Sequence, residues 1–305
     1  MYIFPLSYSI PIEYFNNNTI KNNIVAPLIP GDLKTYIYDK EEDYFKMYRE
    51  SKFAFTKKKY GWDCLRHYEI LSSNCIPLFD NLKNCPVNTM INIPKKLIIE
   101  SNYKFNNKTI TQEEINEYSK KIFKYSIENL SCKSRAKYFL DKIISISKIN
   151  KDISELKILM LTGTSGYRNV NYSRELLSIG LRRILGDNFI DYPKLKVLYK
   201  GCKRHKCIGK GFSYTGLLED TKINRDKIKE RIIDNYFDFI IYGKVGNKNG
   251  SIQEMKELRF WNHVFDNYPK EKISFVYGGD LSRNFNDEDL LLHSKYGICF
   301  VRELK

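Results

Sequence analysis

The chain has 305 residues, 42% of them hydrophobic, with 51 Lys and Arg against 36 Asp and Glu, a formal charge of +15. That content builds ordinary cores, the length favours two domains, and the basic excess favours anionic partners such as nucleotide diphosphates, nucleic acid or an acidic lipid surface. Seven unevenly spaced cysteines exclude a disulfide framework, and no uncharged run reaches the roughly 18 residues of a spanning helix, so the sequence reads as a soluble, cytoplasmic protein with free thiols.

Residues 1–14 alternate apolar residues with Pro5 and Pro11, which suits an extended segment or edge strand and, without a basic flank, argues against a secretory leader. A turn follows over 27–32, and 35–38 is strand-like. Residues 40–50 predict a short helix with acidic residues in its first turn, where the dipole favours them.

The most informative stretch is 57–94. The β-prone run Phe53-Ala54-Phe55-Thr56 leads into a basic, glycine-containing turn over 57–61. Leu65, Tyr68, Ile70 and Leu71 then fit one face of a short helix, and 75–79 reads as a buried strand. Strand, glycine turn, helix and strand is how α/β proteins hold an anionic ligand: backbone approaches closely, the helix start offers unpaired N–H groups, and lysines supply charge. Arg66 and Glu69 sit three apart and so project from one side of the helix. Spacing alone leaves two readings open, a surface salt bridge on a core helix, or a cation and carboxylate holding phosphate and sugar hydroxyls.

The order Tyr60-Gly61-Trp62-Asp63, Arg66-His67-Tyr68-Glu69, Asn74-Cys75-Ile76-Pro77 and Cys85-Pro86 resembles the nucleotide-sugar half of exostosin-like and CgeB-like glycosyltransferases. The resemblance is closest over 57–94 and looser over 26–141, and Asn74 stands where that family usually has glycine. It implies a donor pocket lined by the turn (Lys58, Lys59, Tyr60, Gly61, Trp62), by the helix residues Arg66 and Glu69, and by the strand residues Cys75 and Pro77. Lys58, Lys59 and Arg66 would neutralise the leaving diphosphate and Glu69 would accept hydroxyl hydrogen bonds. Nucleotide-sugar would be the co-substrate, with no metal or other cofactor required.

Residues 96–100 read as another strand. Thr111 followed by Glu114 predicts a capping box that opens an amphipathic helix, and a second helix spans 134–147, so that the pair closes a first domain, 1–150. Beyond the polar stretch 148–155 a second α/β unit, 151–305, begins. Strands are predicted at 157–162, 195–199, 237–242, 272–277 and 297–301, alternating with helices at 172–185, 224–235, 252–265 and 288–294. That alternation indicates a mostly parallel, doubly wound sheet, whose ligands bind at the carboxyl ends of the strands. The expected architecture is two Rossmann-like domains facing a cleft. The second resembles the acceptor-side domain of the same enzymes, which normally precedes the donor domain, so the resemblance implies either a permuted order or a piece of a longer tandem protein.

Gly163-Thr164-Ser165-Gly166 follows a strand, either as a tight turn or as a loop facing acceptor or phosphate. Asp280, after a strand and two glycines, is a candidate base, although a turn-forming aspartate fits equally. Cys202, His205 and Cys207 lack a second pair at zinc-finger spacing, so no metal site is assigned. Asp287, Glu288 and Asp289 read as a helix start. The expected activity is sugar transfer from a nucleotide diphosphate to a glycan, protein or lipid acceptor. A catalytically silent nucleotide-sugar or glycan binder is the alternative. A nucleic-acid binder would account for the charge, but no helix-turn-helix, RNA-binding or zinc-finger pattern is present.

Overall fold

Strand β1 (Ile3–Pro5) runs parallel to a strand from the other end of the sequence, Phe4 lying beside Phe300. The computed structural model describes residues 1–162, 171–202, 214–220, 223–245, 251–280 and 287–305. After β1 come β2 (Asn23–Val25), helix α1 (Glu41–Arg49), β3 (Ser51–Thr56), α2 (Leu65–Ser72) and β4 (Ile76–Phe79). Three helices follow, α3 (Lys95–Asn106), α4 (Gln112–Leu130) and α5 (Cys132–Ser147). The larger unit adds β5 (Ile158–Leu161), α6 (Tyr172–Leu185), β6 (Phe189–Tyr192), α7 (Ile228–Ile233) and β7 (Phe239–Val245). It ends with α8 (Ile252–Met255), α9 (Trp261–Asn267), β8 (Ile273–Tyr277), α10 (Asp287–His293) and β9 (Ile298–Val301).

These strands form an α/β protein with two parallel sheets, one of six strands in the order β1-β9-β8-β7-β5-β6 and one of three in the order β2-β3-β4. Apart from β1, the larger sheet has the doubly wound order in which the chain reverses direction beside its first strand. Its strands are mostly apolar because both faces are covered, as parallel sheets require, with Asp191 in β6 and Ser274 in β8 as buried polar exceptions.

One of those covers is α5. Its Ala136, Phe139, Leu140 and Ile143 share a core with Ile158, Met160, Leu181, Phe239, Ile241 and Phe300. Gly180 of α6 makes this packing possible, since a Cβ there would stand 2.0 Å from the Cys132 carbonyl oxygen. The first 150 residues therefore supply a strand and a helix to the larger layer.

The smaller sheet is buried by Phe53, Ala54, Tyr68, Ile70, Leu71, Ile76 and Leu78, in a core that also takes in Phe45 and Tyr48 of α1. The predicted capping box opens α4: Thr111 Oγ1 accepts from the Glu114 N–H at 3.2 Å, and Glu114 Oε2 accepts from the Thr111 N–H at 3.0 Å. Asp287, Glu288 and Asp289 open α10.

Four expectations are corrected. Residues 96–100 lie in α3, where Ile98, Ser101 and Asn102 make a buried helical face, so the run Leu97-Ile98-Ile99 is a helix turn and not a strand. Residues 196–198 form a single 3-10 turn, and the strand is β6, a few residues earlier. Residues 33–35 are likewise a 3-10 turn, and 36–38 carry no strand. The helix expected over 252–265 is broken between α8 and α9, where Phe260 takes a left-handed conformation with φ 59°.

Candidate functional site

A cavity of about 790 Å³ opens where both sheets end. Its walls come from loops that follow strands at their carboxyl ends: Tyr8 after β1, Leu28 after β2, Lys59, Tyr60 and Gly61 after β3, and Asp280 after β8. Tyr172, the first residue of α6, and Cys64, Leu65, Arg66 and Glu69 at the start of α2 complete much of the rest. The volume lies within the roughly 300–1,000 Å³ of small-molecule sites.

The structure thus brings Lys59, Tyr60, Gly61, Arg66, Glu69 and Asp280 to one cavity. Lys58, Trp62, Cys75 and Pro77 do not line it. Lys58 Nζ lies 5.0 Å from the centre of the Trp62 ring, Trp62 and Cys75 are buried, and Pro77 sits within β4 beside Ala54. Gly163, Thr164, Ser165 and Gly166, like His205 and Cys207, lie outside the described residues. Among the described residues no group of three or more His, Cys, Asp or Glu is placed to hold a metal ion.

Arg66 and Glu69 share the cavity without pairing. Glu69 is 6% exposed; its Oε2 accepts from the Tyr44 hydroxyl at 2.7 Å and its Oε1 from the Tyr214 hydroxyl at 3.0 Å. Burial raises its pKa against the opposing pull of those two hydroxyls and of Arg66. A carboxylate has about four acceptor positions, so lone pairs remain for a ligand hydroxyl. Arg66 donates Nη2–H to the Tyr36 hydroxyl at 2.8 Å, and its buried Nε has no partner among the described residues. No side chain caps the start of α2, where Cys64, Leu65 and Arg66 line the cavity and the His67 N–H bonds the Cys64 carbonyl at 3.1 Å.

The turn is held from beneath. His67, buried with its ring centre 4.6 Å from that of Phe79, donates Nε2–H to the Trp62 carbonyl at 2.8 Å, so its Nδ1 accepts from the Thr56 hydroxyl at 2.8 Å. Burial lowers its pKa to about 4 and keeps it neutral. Asp63 accepts from the Tyr8 N–H and the Tyr68 hydroxyl, each at 2.8 Å, and burial raises its pKa to about 6. Asn74, in the position where the sequence resemblance calls for glycine, has φ 53°, the left-handed region that asparagine tolerates better than most residues.

Arg302, just beyond β9, ties the two halves together. Its Nε donates to the Gly278 carbonyl at 3.0 Å, Nη1 to the Asp63 carbonyl and to Glu303 Oε1, and Nη2 to Asp280 Oδ1. The guanidinium also lies 4.6 Å from the centre of the Tyr8 ring. Sequence reasoning missed Tyr8, Tyr36, Tyr44, Tyr172 and Arg302, since each reaches the site through tertiary contacts that no local spacing encodes.

An uncharacterized protein of Methanocaldococcus jannaschii is 24% identical to this chain over 171 residues, 52% of the chain and 38% of that protein. The chain therefore spans well under half the length of that relative. No family model matches the chain, and no solved structure matches it.

Proposed function

We propose that the chain is a glycosyltransferase of the two-domain type, its two Rossmann-like halves facing a cleft, which moves a sugar from a nucleoside diphosphate to a glycan, protein or lipid acceptor. One observation carries this reading: Lys59, Arg66 and Glu69 meet Tyr172 and Asp280 in one cavity at the carboxyl ends of two parallel sheets. Parallel sheets bind ligands at that edge, and a fixed cation beside a buried acceptor suits a diphosphate next to sugar hydroxyls.

In this mechanism Arg66, Lys59 and the uncapped start of α2 stabilise the negative charge that grows on the diphosphate as the glycosidic bond breaks. Glu69 accepts hydrogen bonds from ribose or sugar hydroxyls. Asp280 has Oδ1 held by Arg302, and Oδ2 takes the proton of the acceptor hydroxyl as its oxygen bonds to the sugar carbon.

Thermal-shift titration of uridine and guanosine diphosphate sugars tests the reading. At least one should raise the melting temperature of the wild type and lose most of that effect in Arg66→Ala and Glu69→Gln. Identical shifts in all three proteins would remove the site assignment. Binding without transfer or hydrolysis, in assays run beside it, would assign the protein to nucleotide-sugar binding alone.

A further inference from the structure

The cavity has one wall unlike the others. Residues 28–39 contribute Leu28, Leu33, Tyr36, Tyr38 and Asp39 to it, in a loop held largely by its own hydrogen bonds. Thr35 Oγ1 accepts from the Ile29 N–H at 3.0 Å and donates to the Asp32 carbonyl at 2.8 Å, while Asp32 Oδ1 accepts from the Lys34 N–H at 3.1 Å. Leu33 is 84% exposed although it borders the cavity, and Ile37 beside Tyr36 is exposed as well. The side-chain hydrogen bond that ties this loop to α2 is the one between Tyr36 and Arg66, with the guanidinium 5.5 Å from the centre of the Tyr36 ring.

The Tyr36 hydroxyl oxygen sits where an anion would. It accepts from Arg66 Nη2 at 2.8 Å and from the Gly31 N–H at 3.4 Å, and Lys59 borders the same cavity. Gly31 presents that N–H from a left-handed backbone, φ 99°, which a side chain would strain. Burial pushes the phenol's pKa up, yet the Arg66 charge, the Gly31 N–H and the Lys59 charge outweigh it and bring it below the usual value. Among the described residues no carboxylate forms an ion pair with Arg66; its charge is met by the phenols of Tyr48, Tyr44 and Tyr36 and by the tyrosine-bonded Glu69, and of these Tyr36 is the one it hydrogen-bonds.

Resting on the donor-site reading above, we propose that the Tyr36 hydroxyl is a built-in stand-in for an anionic oxygen of the ligand, seated on Arg66, and that an arriving diphosphate displaces it and frees the 28–39 strap. A phosphate oxygen carries the full charge that a neutral phenol lacks and makes a stronger, charge-assisted bond with the guanidinium, so the exchange runs toward the ligand. Tyr36 then swings outward together with the exposed Leu33 and Ile37, and the cavity widens at the turn over 57–61.

Calorimetric titration with pyrophosphate, UDP and GDP against wild type, Tyr36→Phe and Arg66→Ala tests the idea. Tyr36 is partly exposed, so the phenylalanine variant folds. It should bind the probe about fivefold more tightly, the value of one ordinary hydrogen bond that no longer has to be broken. Arg66→Ala should lose most of the binding. Trypsin should cut after the exposed Lys34 faster when pyrophosphate is added to wild type, and fast without it in Tyr36→Phe. Equal or weaker binding by Tyr36→Phe, or protection of Lys34 by the probe, would overturn the stand-in role. If nucleotides bind both proteins equally, the donor-site reading survives and the stand-in falls. If only pyrophosphate binds, more tightly to Tyr36→Phe, the stand-in holds and the nucleotide reading falls. If nothing binds either protein, both are lost.

Discussion

Glu303 accepts a hydrogen bond from the Asp63 N–H at 2.8 Å and fills the space beside Gly61, where a Cβ would lie 2.1 Å from Glu303 Oε1. A residue next to the last strand of the larger sheet thus fixes the turn that leads from the smaller sheet into α2. The glycine is required by this close approach of a buried carboxylate, whatever ligand the turn serves. Glu303 cannot retreat, because the same oxygen also accepts from Arg302 at 3.0 Å. Gly61→Ala should therefore destabilise the protein by about 1–3 kcal/mol, as overpacking of a filled site does. Urea denaturation gives the value, and an unchanged midpoint would show that the turn and the 302–303 segment move apart freely.

The two buried titrating groups beneath this turn oppose each other. Asp63 has its pKa raised by burial from 3.8 to about 6, so its contribution is fully present below pH 3.8 and is lost as the pH rises through about 6. His67 has its pKa lowered by burial from 6.5 to about 4, so its contribution is present above pH 6.5 and is lost as the pH falls toward 4. Each is on the order of 3 kcal/mol across its window, and the slopes offset. Glu69, also raised, adds to the Asp63 side. Denaturation at several pH values between 4 and 7 should therefore show that Asp63→Asn tilts the wild-type profile toward greater stability at higher pH. His67→Gln should tilt it the other way. Parallel profiles in all three proteins would mean that neither group differs between folded and unfolded chains.

Local chemistry made much of this architecture legible. The helix α2 and its flanking strands followed from apolar spacing at Leu65, Tyr68, Ile70 and Leu71 and from the β-prone run at 53–56. The capping residues Thr111 and Glu114 located the start of α4. The failures have physical causes too. Strand β6 reads Phe-Ile-Asp-Tyr, and a buried aspartate breaks the apolar run. Asp191 is tolerated because Tyr199 and Arg225 bond its carboxylate, partners that no sequence window around it reveals. In α3 the adjacent Leu97, Ile98 and Ile99 imitate a strand, and only the burial of Ser101 and Asn102 discloses the helical face. For the cavity, the 57–69 segment was visible as a unit. Other parts of its lining, Tyr8, Tyr172 and Asp280, arrive from elements far away in sequence.

Asn74 offers a direct check on the one departure within the family-like stretch. Its left-handed backbone favours glycine, but its Oδ1 also accepts from the Ser119 hydroxyl at 2.8 Å, which ties α4 to the entrance of β4. Asn74→Ala loses the hydrogen bond and keeps the strained φ, so it should cost about 1–2 kcal/mol. Asn74→Gly loses the same bond but relieves the backbone, and should sit within about 0.5 kcal/mol of wild type, since the two effects have opposite sign. Equilibrium unfolding of the pair separates them. A glycine variant as unstable as the alanine one would show that the Ser119 contact, and not the backbone, governs this position.

The last expectation concerns Arg302, which is 1% exposed and lies among the carboxylates of Asp63, Asp280 and Glu303. Its fork bonds carbonyls at Gly278 and Asp63 as well as two of these carboxylates, contacts that one planar guanidinium makes together and a lysine ammonium does not. Arg302→Lys should therefore be among the most damaging conservative changes, on the order of 3–5 kcal/mol, because it leaves buried carboxylates incompletely compensated. Asp280 is different: its side chain is 34% exposed, and removing its charge leaves Arg302 paired with Glu303. Asp280→Asn should cost only about 1 kcal/mol, the scale of one partly solvated charged hydrogen bond. Comparison of the two melting curves decides the matter. Equal losses would mean that Asp280 is a structural anchor for the end of β8, leaving it no freedom to meet an acceptor hydroxyl. A wide gap, with the asparagine variant folded but deficient in transfer, would place Asp280 in the chemistry and Arg302 in the frame that aims it.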